Sequence, residues 1–153
     1  MRITLTEHID APRERVFEMS SDIGAAPDRI SGIKKVEILT DGPIGKGTRF
    51  RETREMFGKE HTETLEFVAF DPPRSFGIDC ESSGVLFVSR FTFESDGAGT
   101  RVTLDMRSKS LTMKARLMAP MMLLCRGAVK KAMRQDLAGI KRAAEHASEP
   151  AIA

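Results

Sequence analysis

A chain of 153 residues, 41% hydrophobic and 30% charged, has the length and make-up of one soluble domain able to bury a real core. No apolar run is long enough to span a bilayer, and the first residues lack a signal peptide's basic start and apolar core, so a cytoplasmic location is expected. The net charge of +2 hides an asymmetry: residues 1–112 carry 16 basic and 19 acidic side chains, whereas residues 113–153 carry 8 basic and 3 acidic.

In chain order, Arg2 to Ile9 reads as a strand with Ile3, Leu5 and Ile9 on one parity. Asp10-Ala11-Pro12 then starts a helix, because proline suits a first turn where its missing N–H costs nothing. That helix, RERVFEMSS, should bury Val16, Phe17 and either Met19 or Ser20. A second short helical piece is expected between Ile23 and Ile30, interrupted by Gly24 and Pro27. From Ile33 the pattern is β: VEIL, the turn DGPIGKG, then a hairpin across Phe57-Gly58-Lys59. In its first strand Thr48, Phe50, Glu52, Arg54 and Met56 share the inward parity; in its second, His61, Glu63, Leu65, Phe67 and Ala69 do. Asp71-Pro72-Pro73 ends that strand. Phe76, Ile78 and Cys80 alternate in a fifth strand and Ser82-Ser83-Gly84 turns. Val85, Phe87, Ser89, Phe91 and Phe93 alternate in a sixth, and Val102, Leu104 and Met106 in a seventh. The remainder is a long helix whose stripe runs Met118, Met122, Cys125, Val129, Met133, Leu137, Ile140, Ala144, with a kink or restart at Pro120. Leu117, Met121, Leu124 and Ala128 widen the stripe in its first half only. The expected fold is α+β, a curved antiparallel seven-stranded sheet wrapped around a long C-terminal helix, in one domain over 1–147 with 148–153 as a frayed tail.

This order of elements resembles the helix-grip fold of the SRPBCC superfamily, the START-like and polyketide-cyclase/dehydrase-like proteins. The pieces that carry the resemblance are IDAPRERVFEMSSD, DGPIGKGTRFRET, FVAFDPPRSF, GTRVTLDM and DLAGIKRAAE, in that order and spacing. The resemblance implies a cavity between sheet and helix. It carries over no catalytic triad, metal site or cofactor, and the catalytic residues stay unassigned. Many members have a tryptophan after the second helical piece; this chain has Asp28-Arg29-Ile30 there.

The charged residues on the inward parity are the informative departure from a solid core, since charges belong there only if paired or wetted. Glu52, Arg54, His61 and Glu63 either orient the polar end of a bound molecule or pair off near a sheet edge within reach of water. Arg54 should lie near Glu63 or His61, depending on register. The walls of the expected cavity are Phe50, Leu65, Phe67, Phe76, Ile78, Phe87, Phe91, Met106, Met118, Met122 and Cys125, with Ser89 as a further polar contact. His61 suits proton transfer near neutrality but sits beside Gly58-Lys59, where an exposed hairpin end is the plainer reading. Three scattered histidines and two cysteines without ligand spacing argue against a metal.

These residues point to binding, with possible transport, of an apolar or amphipathic small molecule such as a lipid, polyketide-like or quinone-like compound. An enzyme is the less favoured alternative: a cyclase, dehydratase or hydrolase using Glu52 or Glu63 as base with Arg54 beside a developing enolate. A third alternative is docking on a membrane or second subunit through the basic, Met-rich helix. A monomer or homodimer fits equally, and nothing points to nucleic acid, because no recognition motif is present and the acidic body would repel phosphate.

Overall fold

The structure is a computed structural model and describes residues 1–146; the expected tail, 148–153, lies outside them. Seven strands form one antiparallel sheet: β1 (Arg2–Ile9), β2 (Ile33–Ile38), β3 (Arg49–Met56), β4 (Lys59–Asp71), β5 (Ser75–Ser82), β6 (Val85–Asp96) and β7 (Gly99–Ser110). Their order across the sheet is β1-β7-β6-β5-β4-β3-β2. Between β1 and β2 lie helix α1 (Arg13–Ser21), a 3₁₀ turn (Ile23–Ala25) and α2 (Ala26–Arg29); after β7 come α3 (Met113–Leu117), α4 (Ala119–Leu124) and α5 (Arg126–His146). This is the helix-grip architecture, with α5 lying against the sheet's inner face.

The tight turns explain why strand parity is so regular. Met56 pairs with Lys59 across Phe57-Gly58, and Ser82 with Val85 across Ser83-Gly84. All four loop residues have positive φ (55° and 72°, 51° and 78°), the two-residue turn that matches strand twist. Such loops pair even with odd positions, so the inward sets of neighbouring strands coincide.

Parity fails at two places: β2 shifts register against β3 between Ile33 and Lys35, so that Ile33 and Val36 are its inward residues. A second register shift, between Phe67 and Ala69, turns Ala69 outward and brings Phe70 into contact with the core. In α1, Val16, Phe17 and Ser21 are buried, whereas Met19 and Ser20, the expected third residue, are only half-buried.

The far end of the interior is filled. Phe17 of α1 meets Phe70, Phe76 and Phe93 edge-on at ring-centre distances of 5.3, 5.6 and 5.3 Å. Phe67 completes the group, 5.5 Å from Phe76 and 5.7 Å from Phe50. Such pairs add to the burial of large apolar surface that stabilises this end. Met133, Leu137, Ile140 and Ala144 of α5 close the core from the helix side. Gly139 permits the approach of α5 to α2, since a Cβ there would stand 2.4 Å from the Arg29 carbonyl oxygen.

The expected long C-terminal helix restarts near Pro120, as anticipated, and restarts once more at Cys125, so that it is three pieces. Thr112 caps α3 by accepting the Ala115 N–H at 3.1 Å, and Pro120 opens α4 in its first turn. Each restart redirects the apolar stripe. Met118, Leu117, Met121 and Leu124 are exposed, and Met122 and Cys125 half-buried.

Candidate functional site

Between the sheet and α5 the interior opens into a cavity of about 440 Å³. The sheet supplies Phe50, Glu52, Arg54 and Met56 from β3, His61, Glu63 and Leu65 from β4, and Phe76, Ile78, Cys80 and Ser82 from β5. Phe87, Ser89 and Phe91 of β6 and Leu104 and Met106 of β7 complete the floor. Helical residues roof it: Ser20, Ile23, Ala26 and Ile30 on one side, Val129, Ala132, Met133, Asp136 and Ile140 of α5 on the other.

Twelve of the sixteen residues expected on the cavity wall are there; Phe67, Met118, Met122 and Cys125 are not. Phe67 is fully buried among the aromatic rings of the filled end. The other three belong to the segment before α5, whose restarts carry it past the cavity. Met122 instead lies against β7, where its sulfur takes the Ser108 hydroxyl at 3.6 Å.

Arg54 is the hub of the polar side. Its Nη1 and Nη2 donate to Asp136 Oδ1 and Oδ2 at 2.8 and 3.1 Å, and its Nε donates to Glu52 Oε1 at 2.9 Å. The three side chains are 20%, 18% and 15% exposed for Arg54, Asp136 and Glu52 respectively. A two-pronged guanidinium–carboxylate contact is the strongest form of such a pair. The register sets Arg54 opposite His61, one of its two expected neighbours, but its guanidinium pairs with neither of them and turns across the cavity to α5.

Burial would lower the pKa of Arg54, but the carboxylates of Asp136 and then Glu52 outweigh it and hold the guanidinium above its usual value. Burial pushes the Asp136 carboxyl up, Arg54 offsets part of that, and Glu52 adds to the rise. Three of its five N–H groups are given to carboxylates, so Arg54 ties β3 to α5 with its charge already paired.

Glu63 faces Glu52 across the β3–β4 ladder and accepts the Ser82 hydroxyl at 2.7 Å. Cys80 lies close enough to both acids that burial, then Glu63 and Glu52, push its thiol up to about 11. His61 is exposed and, with Phe57, marks the cavity mouth at the β3–β4 turn. Among the described residues no group of three or more His, Cys, Asp or Glu could hold a metal ion.

Asp136 was missing from the expected site. A signal was present: it falls three residues after Met133 and four before Ile140, on the stripe that faces the sheet, and it is the only acid between Met106 and Ala144.

A curved sheet gripping a helix around a partly charged cavity defines a member of the START-like, helix-grip class. The chain belongs to the family described as polyketide cyclase/dehydrase and lipid transport, whose model matches residues 1–145. Among solved structures it is similar to a protein of Thermus thermophilus (20% identity, TM-score 0.80, covering 97% of this chain and 100% of that one). It is similar too to the Zhui aromatase/cyclase of a Streptomyces species (20%, 0.79, 99% and 98%). A START superfamily protein of Mycobacterium smegmatis also matches (18%, 0.72, 93% and 97%). At these identities the likeness is one of fold. No curated protein matches the chain. No helix of the described residues is long and apolar enough to cross a membrane.

Proposed function

We propose that this protein binds an apolar or amphipathic small molecule between the sheet and α5. The carrying observation is the cavity of about 440 Å³, apolar over most of its wall, with its ionisable groups gathered toward one side. That size is ordinary for a small-molecule site, roughly 300–1,000 Å³. The charge pattern narrows the ligand: the wall carries three carboxyl groups and one guanidinium, with Glu52 and Asp136 paired to Arg54 and Glu63 bonded only to the Ser82 hydroxyl among the described residues. A hydroxyl-bearing polyketide-like compound or a neutral lipid alcohol, which donates hydrogen bonds, suits these acceptors. A fatty-acid carboxylate would meet repulsion at the same place.

The test is native mass spectrometry of the purified protein, followed by organic extraction and a binding comparison of a long-chain alcohol with the acid of equal length. Tighter binding of the alcohol, reversed or levelled in Glu63→Gln, is the expected result. Stronger binding of the acid by the wild type overturns the ligand class, and no bound or bindable apolar molecule overturns the binding function.

A catalytic reading rests on Glu63, an acid on the cavity wall held, among the described residues, by a hydroxyl alone and so able to accept a proton from a ligand. In that case Glu63→Gln abolishes turnover of a bound carbonyl compound while leaving its affinity within a few-fold. Unchanged turnover in the variant removes this reading.

A further inference from the structure

The segment between β7 and α5 does not behave like the rest of the surface. Of the ten large hydrophobic residues exposed among the described residues, seven fall between Leu111 and Leu124. Met113 and Leu117 lie one turn apart on α3, and Met121 and Leu124 one turn apart on α4, so each piece presents an apolar pair to solvent; Leu117 is 78% and Leu124 86% exposed. The opposite side anchors the segment. Ala115 is buried and Met122 rests on Ser108, so the outer apolar pairs have a defined orientation and, among the described residues, nothing over them. Contiguous exposed apolar surface of this kind marks an interaction site.

The charges around these pairs choose the partner. Residues 106–135 hold eight basic side chains and no acidic one. Lys114, Arg116, Lys131 and Arg134 are exposed, and none of them forms an ion pair among the described residues. A second copy of the chain docking symmetrically would set this basic rim against itself, because a twofold interface pairs each patch with its own image. A bilayer bearing anionic headgroups satisfies both halves of the pattern: apolar side chains enter the acyl boundary while lysine and arginine stay among the headgroups.

The location adds a consequence. Leu111 donates its N–H to the Gly84 carbonyl at 2.7 Å, which sets the segment beside the β5–β6 turn. Ser82 at that turn and Phe57 and His61 at the β3–β4 turn line the cavity, so the patch and the mouth share one end of the sheet.

We propose that residues 111–124, with their basic flanks, dock this protein peripherally on an anionic membrane surface. The proposal stands independently of which ligand the cavity takes. Its test is flotation of the full-length protein with vesicles of phosphatidylcholine alone and of phosphatidylcholine mixed with phosphatidylglycerol, over a series of salt concentrations. Wild type should float with the phosphatidylglycerol vesicles only, and less as salt rises. Neutralising the rim in Lys114→Gln/Arg116→Gln should lower partitioning roughly thirtyfold, at about one headgroup-strength interaction per charge. Leu117→Ser/Leu124→Ser should abolish it while the circular dichroism spectrum and melting temperature stay as in wild type, since both side chains are solvent-exposed. Absence of binding to phosphatidylglycerol vesicles overturns the proposal, as does equal binding to both vesicle types. A concentration-dependent dimer that Leu117→Ser/Leu124→Ser dissolves, without vesicle binding, also overturns it and makes the patch a self-association face.

Discussion

The two ends of the interior are built from the same strands by opposite rules. At one end Phe17, Phe67, Phe70, Phe76 and Phe93 interlock ring against ring. At the other, positions on the same inward parity hold Glu52, Arg54, Glu63 and Cys80 around open space. The filled end settles where α1 lies on the sheet. The hollow end leaves α5 dependent there on an ion-paired tie, Arg54 to Asp136, for part of its hold on β3. Stability and binding are thus divided between ends, and substitutions should separate them.

The largest effect should come from emptying the filled end. Phe17→Ala removes the ring at the centre of three edge-on contacts and should cost about 3–5 kcal/mol in chemical denaturation. A loss under about 1 kcal/mol would erase the distinction between the ends.

Next is the tie itself. Arg54→Met strands two carboxyl groups and should cost about 2–3 kcal/mol at neutral pH, below the figure for a fully enclosed pair because the groups keep some contact with water. The cost should depend on pH in a definite direction. Without Arg54, nothing offsets burial at Asp136, so its folded-state carboxyl titrates still higher than its already raised value. A group with a raised folded pKa loses its stabilising contribution as pH climbs from the unfolded pKa through the folded one. The deficit of Arg54→Met relative to wild type should therefore be smallest in acid and grow toward neutrality, measured by urea unfolding at a series of pH values. A deficit that shrinks as pH rises contradicts this account.

A matched pair of enlargements sharpens the contrast. Val102→Leu adds volume at a fully buried position and should cost about 1–3 kcal/mol. Ser89→Leu adds more, but into the cavity, and should change stability by less than about 1 kcal/mol while blocking ligand. Equal costs at both sites would mean the cavity collapses in solution.

The smallest effect is chemical. Cys80, with its thiol pushed up to about 11, stays protonated through the range in which an ordinary thiol ionises, so its alkylation should remain slow until strongly alkaline pH. Because the folded pKa is raised, wild type should also lose stability between about 9 and 11, and Cys80→Ala should lose less. Mass-spectrometric labelling against pH reads the first and thermal melts the second.

The hollow end was legible where local rules hold and obscure where they stop. Glu52, Arg54 and Glu63 could be turned inward on paper because a two-residue turn at Phe57-Gly58 preserves alternation on both sides. Alternation turns Ala69 inward as well, and there it is wrong, since nothing in the run FVAFD marks the register shift that reverses it. The break near Pro120 was legible, but carrying one apolar stripe across it draws Met118, Met122 and Cys125 toward the cavity, and the second break, after Leu124, has no proline to mark it. Asp136 escaped for a different reason. Its meaning lies in a partner 82 residues away, and spacing along a helix shows which face a residue takes but not which side chain waits there.

The order of the strands carries a further consequence, for how the chain comes together. From β2 to β7 every neighbour in the sheet is also the next strand in the sequence, so each can zip onto the last as soon as it exists. The exception is β1, whose sheet partner is β7: Ile3 faces Met106 and Ile9 faces Thr100. On the ribosome β1 emerges first and is seated last, unpaired through the synthesis of some ninety residues. Its outward-facing Arg2, Thr4, Thr6 and His8 then keep that waiting strand from offering a wholly apolar ribbon to a neighbouring nascent chain.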